Sequence, residues 1–367
     1  MNIAIVETYE DFRRLKKDWN ELLERSSFRH PQLMWEWFDA AWSYMESPKH
    51  VAVFCARDGE RLVGIGPMAV LEGSLLPKGY FKVRVLSWIL YSSDVVDFIV
   101  EKEVAKQVVE EIWKAVHDYG KWDFLKLDNF TSMSPNFLFH HQVCNRLFRS
   151  ARWRLLDGHP HLRVSGSFQG YYEDVRRSKA IADIERRLRR LEEKGGRVRF
   201  ETRTTWDEKI HEELLRLAGK RKEAGDRSPL LADSLRTQWL SRVRESYNGL
   251  GYWLICLLYD DAGRGSLIAY AICFSSGEGL YYWTVSFDPD YAEHSVGKLL
   301  LRHVIEEAWL RGARLFDFMA GAEEYKLQWR PEVAFFFGLC VSRTPITEAW
   351  RWTRFLRPGL RRIIPGW

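Results

Sequence analysis

The spacing of apolar and polar residues along the chain predicts the same short series of elements twice. Residues 50–70, HVAVFCARDGERLVGIGPMAV, form two β-rich runs around Asp58-Gly59, a dipeptide suited to a tight hairpin turn. DVVDFIV (94–100) reads as a strand. From Glu103 to Tyr119, Val104, Val108, Ile112 and Val116 recur every fourth residue, the stripe of a helix with one buried face, and Gly120 stops it. WDFLKLDNF (122–130) is then a strand. The second half has a hairpin over 252–277 that turns between Asp260 and Gly265 and a strand over 279–287. A helix stripe at Val296, Leu300, Val304 and Ala308 ends at Gly312, and a strand covers 314–319. A constant shift of 192 residues lays Val104-Ala105-Lys106 on Val296-Gly297-Lys298, Gly120 on Gly312 and Phe124 on Phe316. The order of elements predicts a duplicated domain.

The intervening stretch 134–164 predicts a helix and a strand that finish the first domain. Residues 176–200 predict a basic helix with Ile181, Ile184, Leu188 and Leu191 along one seam, ending at Gly195-Gly196. Its Arg186, Arg187, Arg189 and Arg190 suit either an anionic partner, RNA or glycan, or a solvated face balanced by Glu192 and Glu193. FFFGLCVSR (335–343) reads as the last core strand. The expected boundaries are a first domain at 1–165, a second at 166–345 and a basic Trp/Arg-rich tail at 346–367.

A chain of 367 residues exceeds what one hydrophobic core usually serves, which agrees with two domains. Its 17 tryptophans and 21 phenylalanines predict an aromatic-rich interior, and a net charge of +5 by itself implies no polyanionic partner. The five cysteines lie far apart with no metal or redox spacing, as expected of reduced core thiols in a cytoplasmic protein. His140-His141 and His159-Pro160-His161 stand out, but no cysteine or carboxylate pattern joins them, so no metal is expected. The start, MNIAIVETYEDF, turns acidic too soon for a signal peptide, and no apolar run approaches the ~20 residues of a membrane span.

Candidate chemistry concentrates in the second half. The helix at 296–311 follows Ser295, a good N-cap residue, and its first amides lack intrahelical acceptors. Gly297 lets an anion approach the backbone, and Lys298 adds positive charge. Gly297 equally suits close packing alone. The first half has Ala105 in place of that glycine, with Glu101 and Glu103 at the helix start, where they would repel phosphate. Downstream, FDFMAGAEEYKLQW (316–329) ends an apolar strand in two acids, a tyrosine, a lysine and a tryptophan. Read without further context, Glu323, Glu324 and Lys326 are a solvated helix start, and Tyr325 and Trp329 are packing residues.

The run from Leu280 to Trp329 is similar to the end of the acetyltransferase-like domain of the CelD/BcsL family, which is associated with cellulose and exopolysaccharide biosynthesis. The likeness rests on Ser295, Gly297, Leu299 to Leu301, Phe316-Asp317-Phe318, Glu323, Tyr325, Lys326 and Trp329. It departs where Val296 replaces a proline and Ala322 a common acid. It covers roughly residues 175–330 and the first half diffusely. The resemblance implies an α+β fold of tandem GNAT domains, each a mixed, mainly antiparallel sheet flanked by helices. It also implies kinship with the FemAB-like aminoacyltransferases.

The resemblance further implies that acetyl-CoA or another acyl-CoA lies between the strands at 279–287 and 314–319, held by Thr284, Val285, Ser295, Val296, Gly297 and Lys298. Acyl transfer to an amine needs a base, a proton donor for the thiolate and support for an oxyanion. Glu323 or Glu324 would be the base and Tyr325 the donor. Lys326 would neutralise the oxyanion or hold an anionic acceptor. The expected activity is N-acylation of an amine on a small-molecule or glycan acceptor of envelope or exopolysaccharide synthesis. The alternatives are aminoacyl transfer from charged tRNA and a non-catalytic accessory role in a polysaccharide synthesis system. No sequence-specific nucleic acid is expected. In the tail, Arg351, Arg354, Arg357, Arg361 and Arg362 interleave with tryptophans, which suits either an anionic membrane surface on the inner face or docking on the protein itself.

Overall fold

The computed structural model describes residues 1–44, 49–74, 82–89, 93–193, 197–225, 231, 234–261 and 265–349; at 49, 74, 191 and 234–236 it describes the backbone alone. The elements run β1 (Asn2–Val6), α1 (Tyr9–Arg14), α2 (Lys16–Glu24), α3 (Trp35–Tyr44), β2 (Lys49–Asp58), β3 (Arg61–Ser74), β4 (Lys82–Trp88), β5 (Ile99–Val100), α4 (Ala105–Tyr119), β6 (Phe124–Thr131), α5 (Phe137–Leu147) and β7 (Arg152–Arg163). They continue α6 (Phe168–Val175), α7 (Lys179–Glu193), β8 (Val198–Arg203), α8 (Glu208–Glu223), α9 (Ser234–Leu250), β9 (Trp253–Asp260), β10 (Ser266–Ser276), β11 (Gly279–Phe287), α10 (Val296–Leu310), β12 (Leu315–Asp317), α11 (Glu324–Leu327) and β13 (Glu332–Ser342).

Two compact units result, one of Met1–Asp157 with Phe335–Trp367, the other of Gly158–Ala334. In the first unit β1, β2, β3 and β4 pair antiparallel in that order, β4 pairs β6 in parallel, and β6 pairs β13 antiparallel. In the second, β8, β9, β10 and β11 pair antiparallel, β11 pairs β12 in parallel, and β12 pairs β7 antiparallel. Each unit is thus a GNAT-like mixed sheet flanked by helices. The repeat extends to detail: α4 and α10 are both 15 residues long, and Gly120 and Gly312 behind them both take the left-handed conformation (φ 65° and 67°) that glycine tolerates best.

The division differs from the expected boundaries, and the sixth strand is the reason. Phe335–Ser342 of β13 follows the second half in sequence, yet it pairs with β6 of the first unit, while residues 158–163 of β7 pair with β12 of the second. A strand's partner is chosen by where its backbone and apolar face are satisfied, which a linear boundary cannot express. The expected strand at 94–100 is also shorter than its pattern suggested. Only Ile99–Val100 joins a ladder, with β3, and the parallel partner of β6 is β4 instead. Val95, Val96 and Phe98 are buried all the same, so an apolar run there marks core without marking strand.

Core burial explains the apolar runs. Every residue of β9 is buried, which requires cover on both faces of the sheet. Ile181 and Ile184 of α7 join Leu300, Val304 and Phe316 in the second unit's core.

Because Leu339 is fully buried on β13 opposite Leu127 of β6, Leu339→Ala should destabilise the first unit by about 2–5 kcal/mol. In native-state hydrogen exchange the amides of β6 should lose protection while those of β9 to β11 keep theirs. Loss confined to the second unit would contradict this assignment of β13.

Candidate active site

The site is built where two neighbouring strands part. β11 is paired with β10 along its whole length, with Trp283 as an extra residue where the register shifts between Ile272 and Cys273. Its pairing with β12 covers only Gly279↔Leu315, Leu280↔Phe316 and Tyr281↔Asp317. Beyond that point β12 turns away. The Phe318 amide donates to Pro160 O at 3.0 Å, the Met319 amide to Asp317 Oδ1 at 2.7 Å, and Met319 takes a positive φ of 61°. Thr284 and Val285 lie on the stretch of β11 left without β12, both half-buried. Backbone groups there need a partner, and the amides of an extended ligand could supply one.

The first unit parts at the corresponding place, after Val85↔Phe124 and Leu86↔Leu125, but fills the gap itself. The Trp88 indole donates to Asp128 O at 2.7 Å, the Val96 amide to Asn129 O at 3.4 Å, and Asn129 Nδ2 to Ser93 O at 2.7 Å. Trp88 stands where the second unit has Trp283, whose ring instead lies tilted against Phe274 with centroids 5.1 Å apart.

At the phosphate end, Ser295 departs from the expected role. It has left-handed backbone (φ 54°) and its side chain caps no amide, because the 3₁₀ turn Pro289–His294 runs straight into α10. Only its carbonyl serves the helix, accepting from the Lys298 and Leu299 amides. The amides of Val296 and Gly297 therefore remain for an anion. Val296 itself is fully buried and contributes backbone alone. A Cβ at Gly297 would stand 3.2 Å from the Phe287 ring, so glycine here lets the helix start pack closely on that ring. Lys298 Nζ donates to Gln328 Oε1 at 2.9 Å, which ties the helix start to α11 and leaves its charge unneutralised by any carboxylate among the described residues. This set fits a pyrophosphate.

Past β12, the four proposed catalytic residues take different positions. Lys326 is buried, and its ammonium meets Ala320 O at 2.7 Å, Gly321 O at 3.1 Å and Glu323 Oε2 at 2.9 Å. Its three donors are spent on the 320–323 loop, which leaves none for an oxyanion. Glu323 folds over Gly321, where a Cβ would meet its carboxylate oxygens at 2.6 Å; Gly321 also needs its φ of 99°. Glu324 is exposed and accepts from Gln328 Nε2 at 3.3 Å, so it is the glutamate open to an acceptor. Tyr325 is half-buried against the core, and burial first, then the Glu323 carboxylate, push its hydroxyl well above the ordinary value while the Arg221 guanidinium pulls the other way. It stays protonated through the neutral range, as a proton donor must.

Sequence reasoning missed the surroundings of this tyrosine. Tyr282 is buried beside it with its hydroxyl also pushed up, first by burial and then by Tyr325. Arg221 of α8 lies 4.3 Å over the Phe287 ring. Asp317 is buried and pairs with His159 Nε2 at 2.8 Å. His159 was conspicuous in sequence, but its partner sits 158 residues away and only the β7–β12 pairing brings them together. Arg186 and Arg187 of the basic helix pair with Asp183 rather than with Glu192 or Glu193. Arg187 Nη1 also donates to Glu293 O, just ahead of α10. Of the tail, residues 350–367 lie outside the described residues. Among the described residues no helix is long and apolar enough to cross a membrane.

Residues 178–327 match the family described as the acetyltransferase (GNAT) domain. The strands that part, the uncapped α10 and Tyr325 all fall inside or at the edge of that match. The fold of the whole chain is similar to that of FemX, with a TM-score of 0.64 at 10% identity over 95% of this chain and 99% of that one. It is also similar to the C-terminal domain of a putative lysylphosphatidylglycerol synthetase from Agrobacterium fabrum, with a TM-score of 0.54 at 10% identity over 94% and 96%. L-PGS from Bacillus licheniformis gives 0.52 at 10% identity over 93% and 96%. At such identities these likenesses show a shared fold. No curated protein matches the sequence.

Lys326→Met should lower stability by about 1–3 kcal/mol in urea unfolding, since it leaves two loop carbonyls without their donor. Glu324→Gln should change it by less than about 0.5 kcal/mol. A Lys326→Met protein as stable as the parent would return the lysine to a chemical role.

Proposed function

We propose that the second unit is an acyl-CoA-dependent N-acyltransferase, an acetyltransferase in the first instance, acting on an amine-bearing acceptor of the cell envelope or of exopolysaccharide synthesis. The observation that carries this reading is the parting of β11 from β12 beside an uncapped α10, left unbridged here and bridged by Trp88 in the first unit. Val296, Gly297 and Lys298 would hold the pyrophosphate, and Thr284 and Val285 the extended arm. The acceptor amine attacks the thioester carbonyl carbon and the C–S bond breaks. The thiolate takes the Tyr325 proton, and the proton shed by the new ammonium leaves by Glu324 or water. Lys326 and Glu323 would position the loop that carries these groups. The basic tail at 347–367 would hold the protein at an anionic membrane face where such acceptors are made.

Aminoacyl transfer from charged tRNA, the alternative implied by the FemAB resemblance, has one observation in its favour: Arg187 of the basic helix reaches the entrance of α10. Calorimetry separates the two. Acetyl-CoA should bind at roughly micromolar affinity, about −8 kcal/mol. Gly297→Glu should abolish that binding and Ala105→Glu should leave it unchanged. Equal loss from both substitutions would sink the claim that one unit is loaded, and charged tRNA binding without any response to CoA would favour aminoacyl transfer.

Tyr325→Phe should lower the chemical rate by roughly ten- to a thousandfold with acetyl-CoA affinity retained. Normal turnover in that variant would make the tyrosine a packing residue.

A further inference from the structure

We propose that Gln328 is a positioning residue of the donor site: it holds the Lys298 ammonium at the start of α10 for the pyrophosphate, and does so without neutralising its charge. The proposal rests on the acyl-CoA reading above. Lys298 is the third residue of α10, and a helical side chain leans back towards the N-terminus of its helix, so the lysine stem lies along the uncapped first turn. Its ammonium donates to Gln328 Oε1 at 2.9 Å. An ammonium carries three N–H donors; among the described residues one is spent on this amide, and two are left for phosphate oxygens.

The anchor is itself fixed. Gln328 lies between two held residues of the same segment. On one side Lys326 is buried and bonded to the Ala320 and Gly321 carbonyls. On the other, Trp329 is fully buried in the second unit's core, and its carbonyl accepts from the Tyr171 hydroxyl at 2.8 Å. Gln328 is only half-buried, so its side chain is not there to fill the core. With Oε1 turned to the ammonium, Nε2 donates to Glu324 Oε1 at 3.3 Å. One neutral amide therefore stands between a cation and a carboxylate and bonds both. A carboxylate in its place would hold Lys298 equally well but would cancel its charge and repel the phosphates. An apolar side chain would leave the lysine unheld, and a free lysine gives up more rotamer freedom when it meets the ligand.

The test is calorimetric titration of the full chain and its variants with acetyl-CoA. Gln328→Leu should weaken binding roughly three- to tenfold. Gln328→Glu, close in shape and still an acceptor for Lys298, should weaken it further, by roughly tenfold or more against the parent. In a Lys298→Met background, Gln328→Leu should cost less than about twofold, because the interaction it removes is already gone. A parent chain that takes up no acetyl-CoA overturns the acyl-CoA reading and this proposal with it. Where the parent binds, three results overturn this proposal alone: affinity unchanged by Gln328→Leu, Gln328→Glu binding as tightly as Gln328→Leu, or a Gln328→Leu loss that persists in full in the Lys298→Met background.

Discussion

Everything proposed for the second unit follows from three residue pairs between β11 and β12. A backbone inside a protein must find partners for its N–H and C=O groups, and a sheet normally provides them strand by strand. Here the ladder stops at Tyr281↔Asp317 because β12 is captured on its other side: His159 holds Asp317, and Pro160 and Gly158 carbonyls accept the Phe318 and Gly321 amides. The loop that follows is pulled away from β11 and opens a wedge with unpaired backbone on one wall. The uncapped start of α10 and the segment that carries Tyr325 are joined beside it through Lys298 and Gln328. The positive φ values at Ser295 and Met319 mark the two places where the chain bends to make this shape. Such conformations cost free energy in residues other than glycine and are held only where the surroundings insist on them.

The two units show how one layout supports opposite electrostatics. Both have a 15-residue helix behind a parallel strand pair that parts early. In the second, the helix start offers free amides and an ammonium. In the first, Glu101 and Glu103 occupy the same place, and Trp88 with residues 93–98 closes the wedge. The duplicated helix keeps its packing role in both, since Val108 and Ile112 are as fully buried as Leu300 and Val304. What differs lies at the helix start and in the wedge, where Trp88, Val95, Val96 and Phe98 are buried in the first unit, while the helix face that packs on the sheet is kept.

How much of this was legible in the sequence depends on the range of the interaction. The elements with strong local periodicity, α4 and α10, the hairpin β9–β10 and strand β11, lie within a residue or two of their patterns, and the hairpin β2–β3 departs only where β3 runs on to Ser74, because period and turn chemistry are local. The contrast between Gly297 with Lys298 and Glu101 with Glu103 was equally readable, since each set lies within three consecutive residues. Long-range pairing was not. Nothing near Phe335 tells that β13 belongs with β6, and nothing near His159 names Asp317. Burial also blurs the signal: 94–100 is as apolar as a strand, yet most of it fills a wedge. Ser295 failed for a subtler reason, because the preceding 3₁₀ turn, rather than the residue type, sets its backbone.

Lys326 shows where residue type and role come apart. A lysine beside a tyrosine at the end of a core strand invites a catalytic reading, and a family motif strengthens it. Its ammonium nevertheless has three donors and three acceptors, all within the loop it closes, and it is nearly as buried as the core around it. A buried ammonium is stable only when so satisfied, and withdrawing it to meet a reacting oxygen would strand two carbonyls and Glu323 at once. The same bonds fix the loop from which Tyr325 projects and, through Gln328 and Lys298, join it to the start of α10. Selection on such a lysine acts through the placement of its neighbours, so a motif can be tied to a reaction by the residue that never touches it.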